Sequence, residues 1–347
     1  MYMKVPRNGV ERISMAQKTS GQSKDCQSCP VGGFKTMCGG QALIEGIMMR
    51  GPKKQAIVVR RPDGEFEIQE KALKLVKDRY PICGAPLIRG VVTFVDSMVC
   101  GMQALMWSAE FYPEDEDEDE QPGKFDLWLE EKLGSQKMTT LITTLAVLLG
   151  IGMSIGLFFL LPTLLGSLVD FVFPGNMFVR NVSESLLKIA IFIAYLALCS
   201  RMKDMRRVFQ YHGAEHKTIF CYEAGLPLTV ENVRRQPCHH PRCGTSFLFV
   251  VIFVSILVST VVFSIWPMYN PLLRFLAHLL MLPAIVGISY EFNRYVGRHE
   301  NPVTKVLVAP GLWLQNFTTF EPDDSMIEVG IKALQLVLPE EKGSDEW

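Results

Sequence analysis

The sequence predicts a mainly α-helical membrane protein: about four transmembrane helices with a small N-terminal cytoplasmic α/β region. Three observations carry this expectation. Of 347 residues, 48% are hydrophobic and only 20% are charged, which is not the profile of two soluble domains. Four stretches are apolar and long enough to cross a hydrocarbon core about 30 Å thick, which takes roughly 20 helical residues. Basic residues gather in one connection between those stretches, as is usual for a cytoplasmic loop.

The four stretches run approximately from Met138 to Leu161, Ser183 to Cys199, Phe247 to Tyr269 and Leu272 to Tyr290. The first and third are nearly free of charge, whereas the second carries Glu184 and Lys188 and the fourth carries Arg274 and His278. A lone histidine such as His278 reads as a helix-to-helix hydrogen-bonding group. The connection after the second stretch holds Arg201, Lys203, Arg206, Arg207, Lys217, Arg234, Arg235 and Arg242; the other two hold only Arg180 and, at a span edge, Arg274. The basic loop is therefore expected inside, and four spans then put both termini in the cytoplasm of a multi-pass cell-membrane protein. The polar start of the chain shows no apolar signal-peptide core. A fifth apolar stretch, Gly90 to Ala109, contains Asp96. Its crossing would push the basic N-terminus outside, so a buried or interfacial helix packed on the membrane domain is preferred.

These elements divide the chain into a flexible tail (1–38), a small α/β region with the interfacial helix (39–112), an acidic linker (113–124), a four-helix membrane domain (125–299) with a cytoplasmic loop (200–246), and a cytoplasmic C-terminal segment (300–347). The linker contains seven consecutive acids, Glu114 to Glu120, which repel one another and stay solvated. In the α/β region an Asp63-Gly64 turn between apolar runs predicts a hairpin. The stretch KALKLVKDRYP beside it has helical spacing and stops at Pro81. GGQALIEGIMMRGP, from Gly39 to Pro52, lacks the Gly-Lys-Ser/Thr ending of a phosphate loop, so its glycines indicate tight backbone packing. With 35 basic and 36 acidic residues, nothing in the overall charge calls for nucleic acid; the partner implied by composition is the lipid bilayer. Nine irregularly spaced cysteines fit a reducing compartment better than a disulfide framework. Cys26-x-x-Cys29 followed by Cys38 reads as free thiols or as half of a zinc ribbon.

The chemistry concentrates in Asp204 to Gly225, a segment with few breakers that predicts a helix ending near Gly225. His212 and His216 lie four residues apart, so both imidazoles share one face within reach of one zinc ion at about 2.0 to 2.1 Å. Glu215 sits beside them, where a carboxylate can act as general base. The His-x-x-Glu-His order is that of inverzincins. The same residues also fit a polar helix bonded to its neighbours or to lipid headgroups. A third metal ligand has several candidates: Cys238, His239, His240 and Cys243 before the third span, Glu223 on the same helix face, and Glu291, Asn293, Arg294 and His299 at the end of the fourth. Glu291 has a second reading, an ion pair with Arg294. A carboxylate third ligand suits hydrolytic zinc, whereas recruiting Cys243 shifts the site toward structural zinc.

Four motifs, GGQALIEGIMMRGP, YHGAEHKTIFCYE with LTVENVR, HPRCGTSFL and PGLWLQNFTTFEPDD, together resemble the YqhQ family of bacterial membrane proteins, a domain of unknown function described as predicted metal-dependent enzymes. The resemblance spans roughly Cys38 to Glu328. It places the family's histidine motif on His212, Glu215 and His216, its His-Pro-Arg-Cys motif on His240 and Cys243, and its Tyr-Glu motif on Glu291. The opening motif falls on Gln41, Glu45 and Arg50, and the closing motif on Gln315 and Glu321. The N-terminal extension and the acidic run depart from the family core.

Two functions follow as expectations. The first is a membrane-embedded metal-dependent hydrolase working at the cytoplasmic face on a peptide or lipid-linked substrate. In it His212 and His216 bind a divalent metal, zinc by preference, Glu291 or His240 completes the site, and Glu215 is catalytic. The second is a non-enzymatic scaffold or accessory factor for a transport, secretion or envelope complex, with a structural metal or none, acting through a membrane-complex partner or as a homo-oligomer.

Overall fold

The computed structural model describes residues 34–73, 76, 80–112, 135–299, 301–339 and 344–345. Cys26, Cys29, the acidic run and most of KALKLVKDRYP lie outside the described residues.

An antiparallel meander opens the described chain: β1 (Gly39–Leu43), β2 (Gly46–Arg50), β3 (Lys54–Arg60) and β4 (Phe66–Ala72), in the order β1-β2-β3-β4. The Asp63-Gly64 hairpin forms as expected, with Arg60 opposite Phe66. The glycine-rich motif forms a second hairpin, with Leu43 opposite Gly46 and a turn of Ile44 and Glu45. Glu45 adopts a left-handed backbone (φ 49°), a conformation that costs a non-glycine residue energy unless its surroundings repay it. Here its buried carboxylate accepts the Tyr211 hydroxyl at 3.1 Å and an Arg207 guanidinium pair.

Side chains alternate across a strand, and both faces of this sheet are covered. Ile47, Met49, Ala56 and Val58 share one core with Tyr211, Ala214, Met326, Val329 and Ala333. Leu43, Met48, Ile57 and Val59 share another with Ala104, against which Trp107 and Phe111 pack. Each large side chain fully buried in this way contributes roughly 1.5 to 3 kcal/mol.

The helical part comprises α1 (Ile88–Ala109), α2 (Ser135–Ile155), a π-helical turn at Gly156–Leu160 leading into α3 (Leu161–Val172), α4 (Met177–Cys199), α5 (Lys203–Glu223), the short α6 (Val230–Arg234), α7 (Gly244–Ile265), α8 (Pro271–Arg298), α9 (Pro302–Thr318) and α10 (Asp324–Val337). Among the described residues, five helical stretches are long and apolar enough to cross a membrane: α1, residues 141–169 of α2–α3, α4, α7 and α8. The fold class is therefore the predicted one, a mainly helical membrane-type protein with a small N-terminal sheet region. The stretch not counted among the four is α1. It docks on the sheet through buried Ala104 and Ser108 and through an Arg50–Asp96 ion pair of 2.7 Å. Its first turn packs against α8, where Gly90 lies close to Tyr290.

Helix boundaries follow their caps. Asn176 caps α4 by accepting from Val179 N, and Asn270 caps α8 by accepting from Leu272 N and Leu273 N. Both spans accordingly start earlier than their apolar composition suggested, because a capped polar first turn is stable at a membrane edge. Asn301 and Thr304 form a reciprocal capping box for α9.

Candidate metal centre

Helix α5 carries the His-x-x-Glu-His motif between the sheet and α10. Gly213 within it faces the backbone carbonyl of Phe320: a β-carbon there would lie 2.1 Å from that oxygen. The glycine thus gives up helix propensity of about 1 kcal/mol to let the segment after α9 lie against α5.

That close approach sets the histidine tautomers. His212 Nδ1 lies 2.8 Å from Thr318 O, and His216 Nδ1 lies 2.5 Å from Cys238 O. A carbonyl only accepts, so each Nδ1 carries its proton and donates it, and each Nε2 is the free lone pair in the neutral ring. His212 Nε2 stands 3.1 Å from Cys243 Sγ, while His216 Nε2 is buried with no hydrogen-bond partner among the described residues. Ligand atoms of His212, His216 and Cys243 all lie within 4.8 Å of one another. Orientation of ligating imidazoles by carbonyl acceptors on the other ring nitrogen is the usual outer support of metal sites. Two imidazoles and one thiolate form a donor set suited to zinc, and the orphaned His216 nitrogen gives the set a reason to converge.

The electrostatics agree. Burial opposes charge on His212, yet the adjoining Cys243 sulfur outweighs it and holds the imidazole at about 9. Burial likewise opposes a Cys243 thiolate, but His212 and His216 bring the thiol well below its ordinary value. The pair thus holds one proton between nitrogen and sulfur, and a divalent ion would displace it. Glu215 is buried; its Oε1 accepts from Gly40 N of β1 at 2.9 Å. Desolvation raises Glu215 above the ordinary carboxylate range against the pull of both imidazoles.

Cys243 completes the cluster because it is the N-cap of α7, a position that turns its sulfur back toward the helix start. His240, three residues earlier, is brought beside the cluster without joining it. Its ring lies 5.6 Å from that of His216, but its nitrogens face Arg242 N at 3.3 Å and Glu223 Oε2 at 3.7 Å. Glu291 also stands outside the group; it is bound by Leu87 N at 3.3 Å and by both Arg89 Nε at 2.7 Å and the Arg89 terminal nitrogen. Its partner is thus Arg89 of α1 rather than Arg294. Glu223, another candidate ligand, pairs with Arg242 and accepts from Thr36 N at 2.9 Å.

Two supporting groups, Gln315 and Glu321, were placed by the family resemblance alone, without a role. Gln315, fully buried on α9, accepts from His240 N and donates to His240 O, both at 2.8 Å, and approaches Ser246 Oγ at 3.2 Å. It therefore clamps the loop that delivers Cys238 and Cys243. Glu321 receives Lys217 Nζ at 2.7 Å. The one signal pointing to Gln315 and Glu321 in sequence was the closing motif of the family resemblance.

Burial holds His240 neutral, lowering it to about 4 despite Glu223 beside it. A histidine depressed from an unfolded value of about 6.5 stabilises the fold above that pH and withdraws the contribution as pH falls toward 4. Acidification from pH 7 to pH 4 should cost on the order of 3 kcal/mol through this residue. Chemical denaturation across this range checks it: His240→Gln should flatten the acid limb, and an unchanged limb would remove His240 from the account.

Comparison with known proteins agrees with this layout in extent. A family model described as "Protein of unknown function (DUF1385)" matches residues 85–340. The chain is 35% identical over 314 residues to "Uncharacterized protein YqhQ" of Bacillus subtilis (strain 168), an alignment covering 89% of this chain and 94% of that protein. No solved structure matches. The family match takes in α1 and every helix of the cluster, and the relative matches along most of the chain, so the chain belongs to the YqhQ family.

Proposed function

We propose that the protein is a membrane-embedded metal-dependent hydrolase whose metal ligands are His212, His216 and Cys243, with Glu215 as general base. The observation that carries this reading is the pair of backbone carbonyls that fix both Nδ1 protons and leave both Nε2 atoms beside one cysteine sulfur. Three protein ligands leave a fourth position on zinc, the arrangement of catalytic rather than closed sites. A zinc ion bound there would supply Lewis acidity. Glu215 would take the proton of the attacking water, and Gly40 N would hold its carboxylate in place. The basic residues on and around α5 support a cytoplasmic orientation for this end of the bundle.

Glu215→Gln tests the assignment, since it keeps size and removes the proton-accepting charge. The variant should bind metal as the wild type does while cells lacking the protein regain none of its function, with turnover lower by about 10² to 10⁴. Full complementation would sink the catalytic role.

A second reading, a scaffold held by structural metal, is favoured by one observation: Glu215, His216 and Cys243 are only 5%, 1% and 8% exposed. In that case Glu215→Gln is silent and His216→Ala lowers thermal stability.

A further inference from the structure

At the end of the bundle remote from α5, the membrane helices enclose a second polar cluster. Glu184 and Lys188 on α4 meet Arg274 and His278 on α8, and all four are buried. Arg274 Nε lies 2.6 Å from Glu184 Oε2. Glu184 Oε1 faces His278 Nε2 at 2.8 Å, Lys188 Nζ at 3.4 Å and Thr163 Oγ1 of α3 at 3.0 Å. Lys188 Nζ and His278 Nε2 are themselves 3.2 Å apart. Phe263 of α7 closes the site, with Arg274 over its ring and the His278 ring edge-on at 5.0 Å. The side-chain oxygen of Asn181 accepts from Arg274 at 2.5 Å. Beyond it, Arg180 reaches the carbonyl of Tyr269.

Ionisable groups inside a membrane bundle are costly and mark functional sites by default. Here the charges can be assigned. A guanidinium is always protonated, so Arg274 and Glu184 neutralise each other. What remains is an amine and an imidazole sharing one carboxylate oxygen, and the triangle admits two hydrogen-bond patterns that differ by one proton. In one, neutral Lys188 stands by while His278 Nε2–H donates to Glu184. In the other, a Lys188 ammonium donates to both Glu184 Oε1 and His278 Nε2, and the imidazole proton sits on Nδ1. The second pattern turns the Nε2 lone pair toward Glu184 Oε1 at 2.8 Å and leaves the Nδ1 proton with no acceptor among the described residues, so loading must shift the His278 ring away from the carboxylate. Holding a second proton would place two cations on one carboxylate already claimed by Arg274.

We propose that Lys188 and His278, joined on Glu184, form a proton-binding site inside the helix bundle that takes up and releases one proton. The proton adds at Lys188 Nζ, and the imidazole answers by moving its own from Nε2 to Nδ1. This site is separate in chemistry and position from the metal centre and does not depend on it.

The test is a proton count on the full chain in lipid nanodiscs. Between pH 9 and pH 5 the wild type should bind about one proton more per chain than Lys188→Met or Lys188→Arg, because a free lysine stays charged across that range. Lys188→Arg keeps the buried charge and serves if Lys188→Met does not fold. In protein labelled with ¹⁵N-histidine, the resonance missing from His278→Gln should report tautomer exchange over the same interval and should be static in Lys188→Arg. Equal proton counts in wild type and Lys188→Arg, or a His278 tautomer unchanged with pH in the wild type, would overturn the proposal and reduce the cluster to a packing device.

Discussion

Protein purified after expression with zinc should carry about one divalent ion per chain, and His216→Ala should bind it on the order of a hundredfold more weakly or worse. Loss of an outer support alone typically costs 10- to 100-fold, so loss of a ligand sets the larger effect. Cys243→Ser should fall in the same class, since its sulfur is the third donor. His240→Gln and Glu291→Gln should keep the ion, because their functional groups are engaged by Glu223 and Arg242 in one case and by Arg89 in the other. Elemental analysis with chelator competition reads all four. A wild type without metal, or equal loss in His240→Gln, would dismantle the ligand set.

Gly213→Ala is expected to destabilise the protein by about 2 kcal/mol or more, although alanine favours a helix by about 1 kcal/mol over glycine. The added methyl would sit 2.1 Å from Phe320 O, a backbone atom with no rotamer to yield. Overpacking of this kind typically costs 1 to 3 kcal/mol and occasionally more. The displaced segment also carries Phe320 N, which donates to Phe209 O at 3.0 Å, and adjoins Thr318, whose carbonyl orients His212. Thermal unfolding and metal affinity should therefore fall together. A stabilised Gly213→Ala variant would mean that propensity, not close approach, governs this position.

The cation pairs of the site show where local reading stops. Lys217 and Arg242 lie in the same basic loop as Glu215. In the structure Lys217 goes to Glu321, a residue on the far side of α9 in sequence, and Arg242 goes to Glu223. Glu215 is left with a backbone amide of β1, two imidazoles and the Cys243 sulfur as its surroundings. This depends on the N-terminal sheet and the C-terminal helices closing over α5 from both sides, which charge counting along the chain does not reveal.

The sequence by itself determined what depends on short-range periodicity. Apolar length gives the membrane helices, the Asp63-Gly64 turn gives the β3–β4 hairpin, and a spacing of four residues puts His212 and His216 on one face of α5, since helical geometry is repeated every 3.6 residues. Tertiary structure decided the rest. The choice of Cys243 over His240 turned on a helix cap and on Gln315, 75 residues from the histidine it clamps. The fixed tautomers came from Thr318 and Cys238 carbonyls, which carry no side-chain signature. Glu184, Lys188, Arg274 and His278 could each be seen as a charge or polar group within a span. Their meeting required α4 and α8 to pack with these faces together, a contact across about 90 residues that no local pattern encodes because packing complementarity, unlike helical period, is a property of the two surfaces jointly.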